Sequence, residues 1–92
     1  MNDKVFKAIS DKTRRRILTL LKKQDLTAGQ IAEHFDMSKP SISEHLKILR
    51  NADLIGSEKK GQFIKYFLNT SVVEGLLAYL MEFLGDQNQN EE

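Results

Sequence analysis

Ninety-two residues with 14 Lys and Arg against 13 Asp and Glu give a net charge of +1 and material for one small domain. The absence of cysteine removes disulfides, a thiolate nucleophile and any Cys-ligated metal. No apolar run approaches the roughly 20 residues that span a bilayer, and the N-terminal MNDKVFKAIS has no secretory pattern, so a soluble cytoplasmic protein is expected.

The chain opens with a short predicted helix over Asn2–Ser10, whose Val5, Phe6 and Ile9 share a face. Ser10 or Asp11 then caps a second helix from Lys12 to about Lys23. Its core stripe is Ile17, Leu18, Leu20 and Leu21, with Lys22 and Lys23 at its negative end. Gln24–Leu26 is a connection. Thr27 caps a helix over Ala28–Phe35, Asp36–Ser38 forms a corner, and Ser38 caps a longer helix from Lys39 to Ala52. Pro40 falls in the first turn, where its missing N–H costs nothing. A short helix, a three-residue corner and a longer helix form the helix-turn-helix pattern, whose second helix is suited to a DNA major groove.

Leu54–Asn69 changes to a two-residue period, with Lys60-Gly61 between LIGSEKK and QFIKYFLN, and predicts a β-hairpin. Ile64, Tyr66 and Leu68 are assigned to its core face, and Phe63, Lys65 and Phe67 to the other. A hairpin directly after a helix-turn-helix is a wing, so the expected fold is a winged helix-turn-helix, mainly α with one β-hairpin. Ser71–Leu84 is the last predicted helix. Nine of its thirteen residues from Val72 to Leu84 are large and apolar, more than one packed stripe needs. The surplus face is expected to be covered by a second copy. The expected homodimer interface uses Val5, Phe6 and Ile9 of the first helix with Val73, Leu76, Leu77, Leu80, Phe83 and Leu84 of the last. Residues 1–85 then form one DNA-binding and dimerisation domain, and 86–92 (DQNQNEE) a disordered acidic tail.

Charge supports a nucleic-acid partner. Residues 1–70 carry a balance of +6 and residues 71–92 one of −5. On the long helix Ile42, Leu46 and Leu49 face the core, which turns Pro40, Ser41, Ser43, Glu44, Lys47 and Ile48 outward. Ser41 and Ser43 can bond base edges, Glu44 can accept from a cytosine amine, and Ile48 can meet a thymine methyl. Lys39 and Lys47 reach phosphates. The expected DNA-binding set is Ser38, Lys39, Pro40, Ser41, Ser43, Glu44 and Lys47, with Lys59, Lys60 and Gln62 from the wing. Of Arg14, Arg15 and Arg16, at most one or two can meet phosphate, and another is expected to pair with Asp11 or Asp53. His45 sits at the edge of the core face and His34 on the surface, so neither makes a ligand set. There is no HExxH, no glycine-rich phosphate loop and no GxSxG, and no enzyme, cofactor or metal site is expected.

The blocks FKAISDKTRRRILTLL, LTAGQIAEHFDMSKPSISEHLKILRNADLI and KKGQFIKYFLN, with S-x-S-x-H-L at Ser41, Ser43, His45 and Leu46, resemble the ArsR family of bacterial winged-helix repressors over residues 3 to 84. Within it the chain looks most like a metal-independent autorepressor subgroup. The resemblance implies a homodimer joined through the first and last helices, two recognition helices on a palindromic double-stranded DNA operator, and repression of transcription. It also sets departures in relief. The Cys-x-Cys metal pair of some members has no counterpart in Ile31–Phe35, and the last helix offers only Glu74 and Glu82 where others carry Asp and His ligands. Lys12 replaces a proline frequent in the family at that point. A repressor without a metal or thiol switch needs another release, and titration by a sequestering protein partner, perhaps membrane-bound, is the expectation. The alternative reading is a winged-helix protein-interaction module that uses Phe63, Phe67 and Ile48 as its surface.

Overall fold

The computed structural model describes residues 3–90. The chain runs α1 (Asp3–Ile9), α2 (Lys12–Lys23), β1 (Leu26–Thr27), α3 (Ala28–Ala32), α4 (Lys39–Asn51), β2 (Ile55–Lys60), β3 (Phe63–Leu68) and α5 (Thr70–Asn90). This is the expected winged helix-turn-helix. Position 2 of the first predicted helix lies outside the described residues.

Three helix starts follow from side-chain caps. The Asp11 carboxylate accepts from the Arg14 N–H at 3.0 Å and opens α2. Thr27 and Gln30 form a reciprocal box at α3: the Gln30 N–H donates to Thr27 Oγ1 at 3.1 Å, and the Thr27 N–H to Gln30 Oε1 at 2.9 Å. The Ser38 hydroxyl accepts from the Ser41 N–H at 3.3 Å, and Pro40 sits in the first turn of α4. The end of α4 is set by Asp53, which takes a left-handed φ of 59°. That lets the Leu54 N–H reach back to the Leu49 carbonyl at 3.1 Å and satisfy it.

Four expectations are corrected. The short helix stops at Ala32, not Phe35, because the His34 and Phe35 N–H groups bond Ile31 and Ala32 carbonyls three residues back and tighten the chain into a turn. The corner therefore covers six residues, 33–38. The connection before it contains a strand: Leu26 pairs with Tyr66 and Thr27 with Lys65, giving a three-stranded antiparallel sheet in the order β1-β3-β2. Ile64 was assigned to the core face with Tyr66 and Leu68, but it is 50% exposed, whereas those two pack on the core. Ile64 pairs with Lys59 near the tip, where it only lines an open hollow with Ala28 and Gly29. Finally, α5 starts at Thr70 and its backbone stays helical through Asn90, across part of the stretch expected as an irregular tail; no proline interrupts that stretch. The rest of that expected tail, 91–92, lies outside the described residues.

One core joins all the helices ahead of the wing. Ile17 and Leu21 of α2, Ile31 of α3, Ile42, Leu46 and Leu49 of α4, and Leu54 and Ile55 leading into β2 are buried together. Val5 is part of it, 3% exposed, which corrects its placement in an interface with another chain. The hairpin turns through Gly61 and Gln62, with Gly61 at φ 62° and Lys60 paired with Phe63.

Gly56 of β2 lies under the Phe67 ring paired with it; a Cβ there would come within 2.7 Å of the ring's Cε1. Gly56→Ala is therefore expected to lose about 1–3 kcal/mol through forced movement of Phe67. Urea unfolding would show it as a lower midpoint at unchanged slope, and an unchanged midpoint would mean that the ring swings aside freely.

Candidate nucleic-acid interface

Burial of Ile42, Leu46 and Leu49 fixes the rotation of α4 and turns its other faces to solvent. All ten residues of the expected DNA-binding set are exposed: Ser38, Lys39, Pro40, Ser41, Ser43, Glu44 and Lys47 on the helix and its cap, and Lys59, Lys60 and Gln62 on the wing. Ser38 and Ser41 also bond each other, hydroxyl to hydroxyl at 3.0 Å, which orients the two as a pair. Ile48, read from sequence as a surface residue, is half-buried against the core and is corrected accordingly.

The first turn of α3 bridges helix and wing. Ala28 and Gly29 line a hollow shared with Lys39, Ile42 and Ser43, and also one shared with Gln62, Phe63 and Ile64. Lys60 and Lys65 face a neighbouring hollow with Thr27, Gln30 and Phe63. Hollows lined in part by the first turn of α3 thus connect the N-terminal half of α4 to the hairpin.

Along the C-terminal half of α4, Ser43, Lys47, Arg50 and Asn51 line a groove of about 400 Å³ closed on its far side by Tyr66 of β3. Arg50, Asn51 and Tyr66 were not singled out from sequence. Arg50 and Asn51 stand three and four residues beyond Lys47, so continuing the helical period past Lys47 would have found both. Tyr66 was legible only as a strand residue.

The three consecutive arginines separate as helix geometry requires. Arg14 is buried at 9% exposure; its Nε donates to the Ala8 carbonyl at 2.7 Å and its Nη2 to the Lys7 carbonyl at 3.0 Å. Arg15 donates to the Ile9 carbonyl at 2.9 Å, and the Arg16 guanidinium lies 4.9 Å from the centre of the Phe35 ring. Arg14 therefore serves the fold. His45, expected at the edge of the core face, bonds Arg14, Nη1 to Nδ1 at 3.2 Å, and lies 4.0 Å from Asp11 Oδ2. The Arg14 N–H bond, together with the Arg14 charge, holds the Asp11 carboxyl below the usual aspartate range.

On the opposite side of the molecule α5 leaves a wide apolar face. Val72, Val73 and Leu76 pack on the core, whereas Leu77 (59%), Leu80, Met81, Phe83 (57%) and Leu84 are exposed. Phe6 of α1 meets Tyr79 edge-on at 5.8 Å, and Tyr79 meets Phe83 at 5.4 Å, so α1 and α5 border the same patch. Ile9 packs against the core at its margin.

A sequence profile described as bacterial regulatory protein, arsR family, matches residues 11–57. The chain is 59% identical over 80 residues to the transcriptional repressor SdpR of Bacillus subtilis, covering 87% of this chain and 89% of that one. It is 34% identical over 76 residues to the arsenical resistance operon repressor of Staphylococcus aureus, covering 83% and 73%. An ArsR-like transcriptional regulator from Rhodococcus sp. RHA1 superposes with a TM-score of 0.87 at 30% identity, over 96% of this chain and 81% of that one.

Proposed function

The chain belongs to the ArsR family of bacterial regulatory proteins, and from that membership we propose that it is a homodimeric transcriptional repressor that reads a two-fold symmetric DNA operator without a metal signal. The observation that carries this is the outward face of α4. Its hydroxyls, acid and bases stand exposed over a helix locked by three buried residues, beside a wing with lysines next to its turn. Ser41, Ser43 and Glu44 meet base edges in the major groove; Lys39, Lys47, Lys59 and Lys60 meet phosphates; Ser38, Pro40 and Gln62 shape the approach. Two copies related by a dyad place their recognition helices about one DNA turn apart, roughly 34–36 Å or a multiple.

Metal independence has its support in residue chemistry. The sequence contains no cysteine, and among the described residues no three His, Cys, Asp or Glu side chains gather into a ligand set. Among the described residues no helix is long and apolar enough to cross a membrane.

Selection from a random duplex pool, followed by anisotropy across a salt series, tests the proposal. A palindromic sequence bound by two chains, with affinity falling steeply as salt rises, is the expected result. Ser43→Ala and Glu44→Ala should change which bases are preferred. Lys47→Ala and Lys60→Ala should weaken binding to all sequences and reduce the salt slope by about one each. Failure to enrich any sequence would point instead to the interaction-module reading, whose expected surface is Phe63, Phe67 and Ile48; of these Phe63 is exposed and Ile48 is half-buried against the core.

A further inference from the structure

We infer that Arg14 and His45 are positioning residues for DNA reading: together they pin the recognition helix to the end of α1, and the pin holds only while the His45 imidazole is neutral. The inference rests on α4 being the helix that reads DNA.

Three helices meet at one side chain. Arg14 projects from the first turn of α2, takes two carbonyls at the C-terminal end of α1, and reaches His45 on α4. A guanidinium has donors and no acceptor. Its bond to His45 Nδ1 therefore exists only if that nitrogen is unprotonated, with the ring proton on Nε2. Protonation removes the acceptor and sets a second cation 3.2 Å from a buried one. Asp11 offsets part of this from 4.0 Å, but its carboxylate is already engaged as the α2 cap. From α1, Lys4 and Lys7 line a hollow with Ile48 and Asn51, and add positive charge on that side. On α4 itself Glu44 is exposed and belongs to the reading face. The remaining elements packed on α4 contribute Ile31 from α3 and Ile55 from β2 to the shared core.

The sign of the consequence is diagnostic. Histidine protonation near phosphates ordinarily tightens DNA binding, because it adds positive charge to the protein. Here the neutral ring is the one compatible with the held helix. Proton uptake should therefore oppose binding, and affinity should fall with pH by up to about tenfold per unit for each His45 below the ring's midpoint.

The test measures anisotropy of a labelled duplex, selected from a random pool by the wild-type protein at about pH 8, down to about pH 5.5. Wild type should lose affinity on acidification. His45→Gln, which keeps a neutral acceptor at every pH, should show no such fall. His34→Gln, a change at an exposed histidine in the turn after α3, should retain it. A wild-type profile that coincides with His45→Gln overturns the inference. Nitrogen NMR of the DNA-free protein gives a second readout. The His45 ring should carry its proton on Nε2 near neutrality, and the amides of residues 41–48 should shift along its titration. A proton on Nδ1, or amides that ignore the titration, overturns the inference without reference to DNA. Failure to bind any duplex at any pH would instead overturn the repressor function, while the NMR titration still decides the pin.

Discussion

Placing glutamate at Leu77 and Leu80 together should convert the protein from a dimer to a monomer and remove tight operator binding, while each protomer stays folded. Both leucines stand on the outer side of α5, and the helix is held to its own domain by Val72, Val73 and Leu76 instead. A two-fold axis makes each position count twice. Burying about half of a leucine side chain on both subunits is worth roughly 1.5–3 kcal/mol per position. Losing two such positions raises the dimer dissociation constant by at least about a hundredfold, before repulsion between the new carboxylates is included. Sedimentation equilibrium reads the assembly state, circular dichroism the fold, and anisotropy the operator. A variant that remains a dimer would move the interface off this face. Val5→Ala makes the contrast: Val5 lies in the protomer's own core, so its loss should lower unfolding stability without a charged surface appearing between subunits.

Arg14→Ala should be the most costly of the three arginine truncations, by about 3 kcal/mol or more, with Arg15→Ala and Arg16→Ala each within about 1 kcal/mol. Removing the Arg14 side chain leaves the Ala8 carbonyl and His45 Nδ1 without that donor, while the Lys7 carbonyl keeps its bonds from Ser10, and opens space between α1, α2 and α4. Each unsatisfied buried polar group costs about 1–3 kcal/mol. A small domain holds only about 5–15 kcal/mol in total, so this single change should lower the thermal midpoint by more than ten degrees. Arg15 and Arg16 make their contacts at the exposed surface, where water replaces a lost partner. Equal losses at all three positions would contradict the burial that separates them. The comparison is internal: same residue type, adjacent positions, different environment.

Much of this was legible from residues alone because the local signals agree with the global fold. Thr27, Ser38 and Pro40 marked helix starts; Ile42, Leu46 and Leu49 gave the buried stripe; Gly61 marked the hairpin turn. Each of these is a short-range instruction. What stayed hidden depends on partners far along the chain. Leu26 and Thr27 become a strand only because β3 returns beside them some forty residues later. Ile64 keeps the alternation of a core residue, yet it lies near the tip and stays half exposed. Arg14 was not separated from its two neighbours, although its i, i+3, i+7 spacing with Ile17 and Leu21 puts it on the buried stripe of α2. The outward α5 face was legible as surplus hydrophobicity, and the exposed leucines are where that surplus lies.

The pairing of β1 with β3 has a mechanical result. Thr27 is at once the last residue of β1 and the cap of α3, so the wing is bonded to the segment that launches the helix-turn-helix. Hairpin and recognition helix therefore behave as the two fixed jaws of a caliper. In the proposed docking each protomer would measure a set interval along the duplex, so that one inserted base pair, about 3.4 Å of rise along a strand, leaves the second jaw closing on the wrong step.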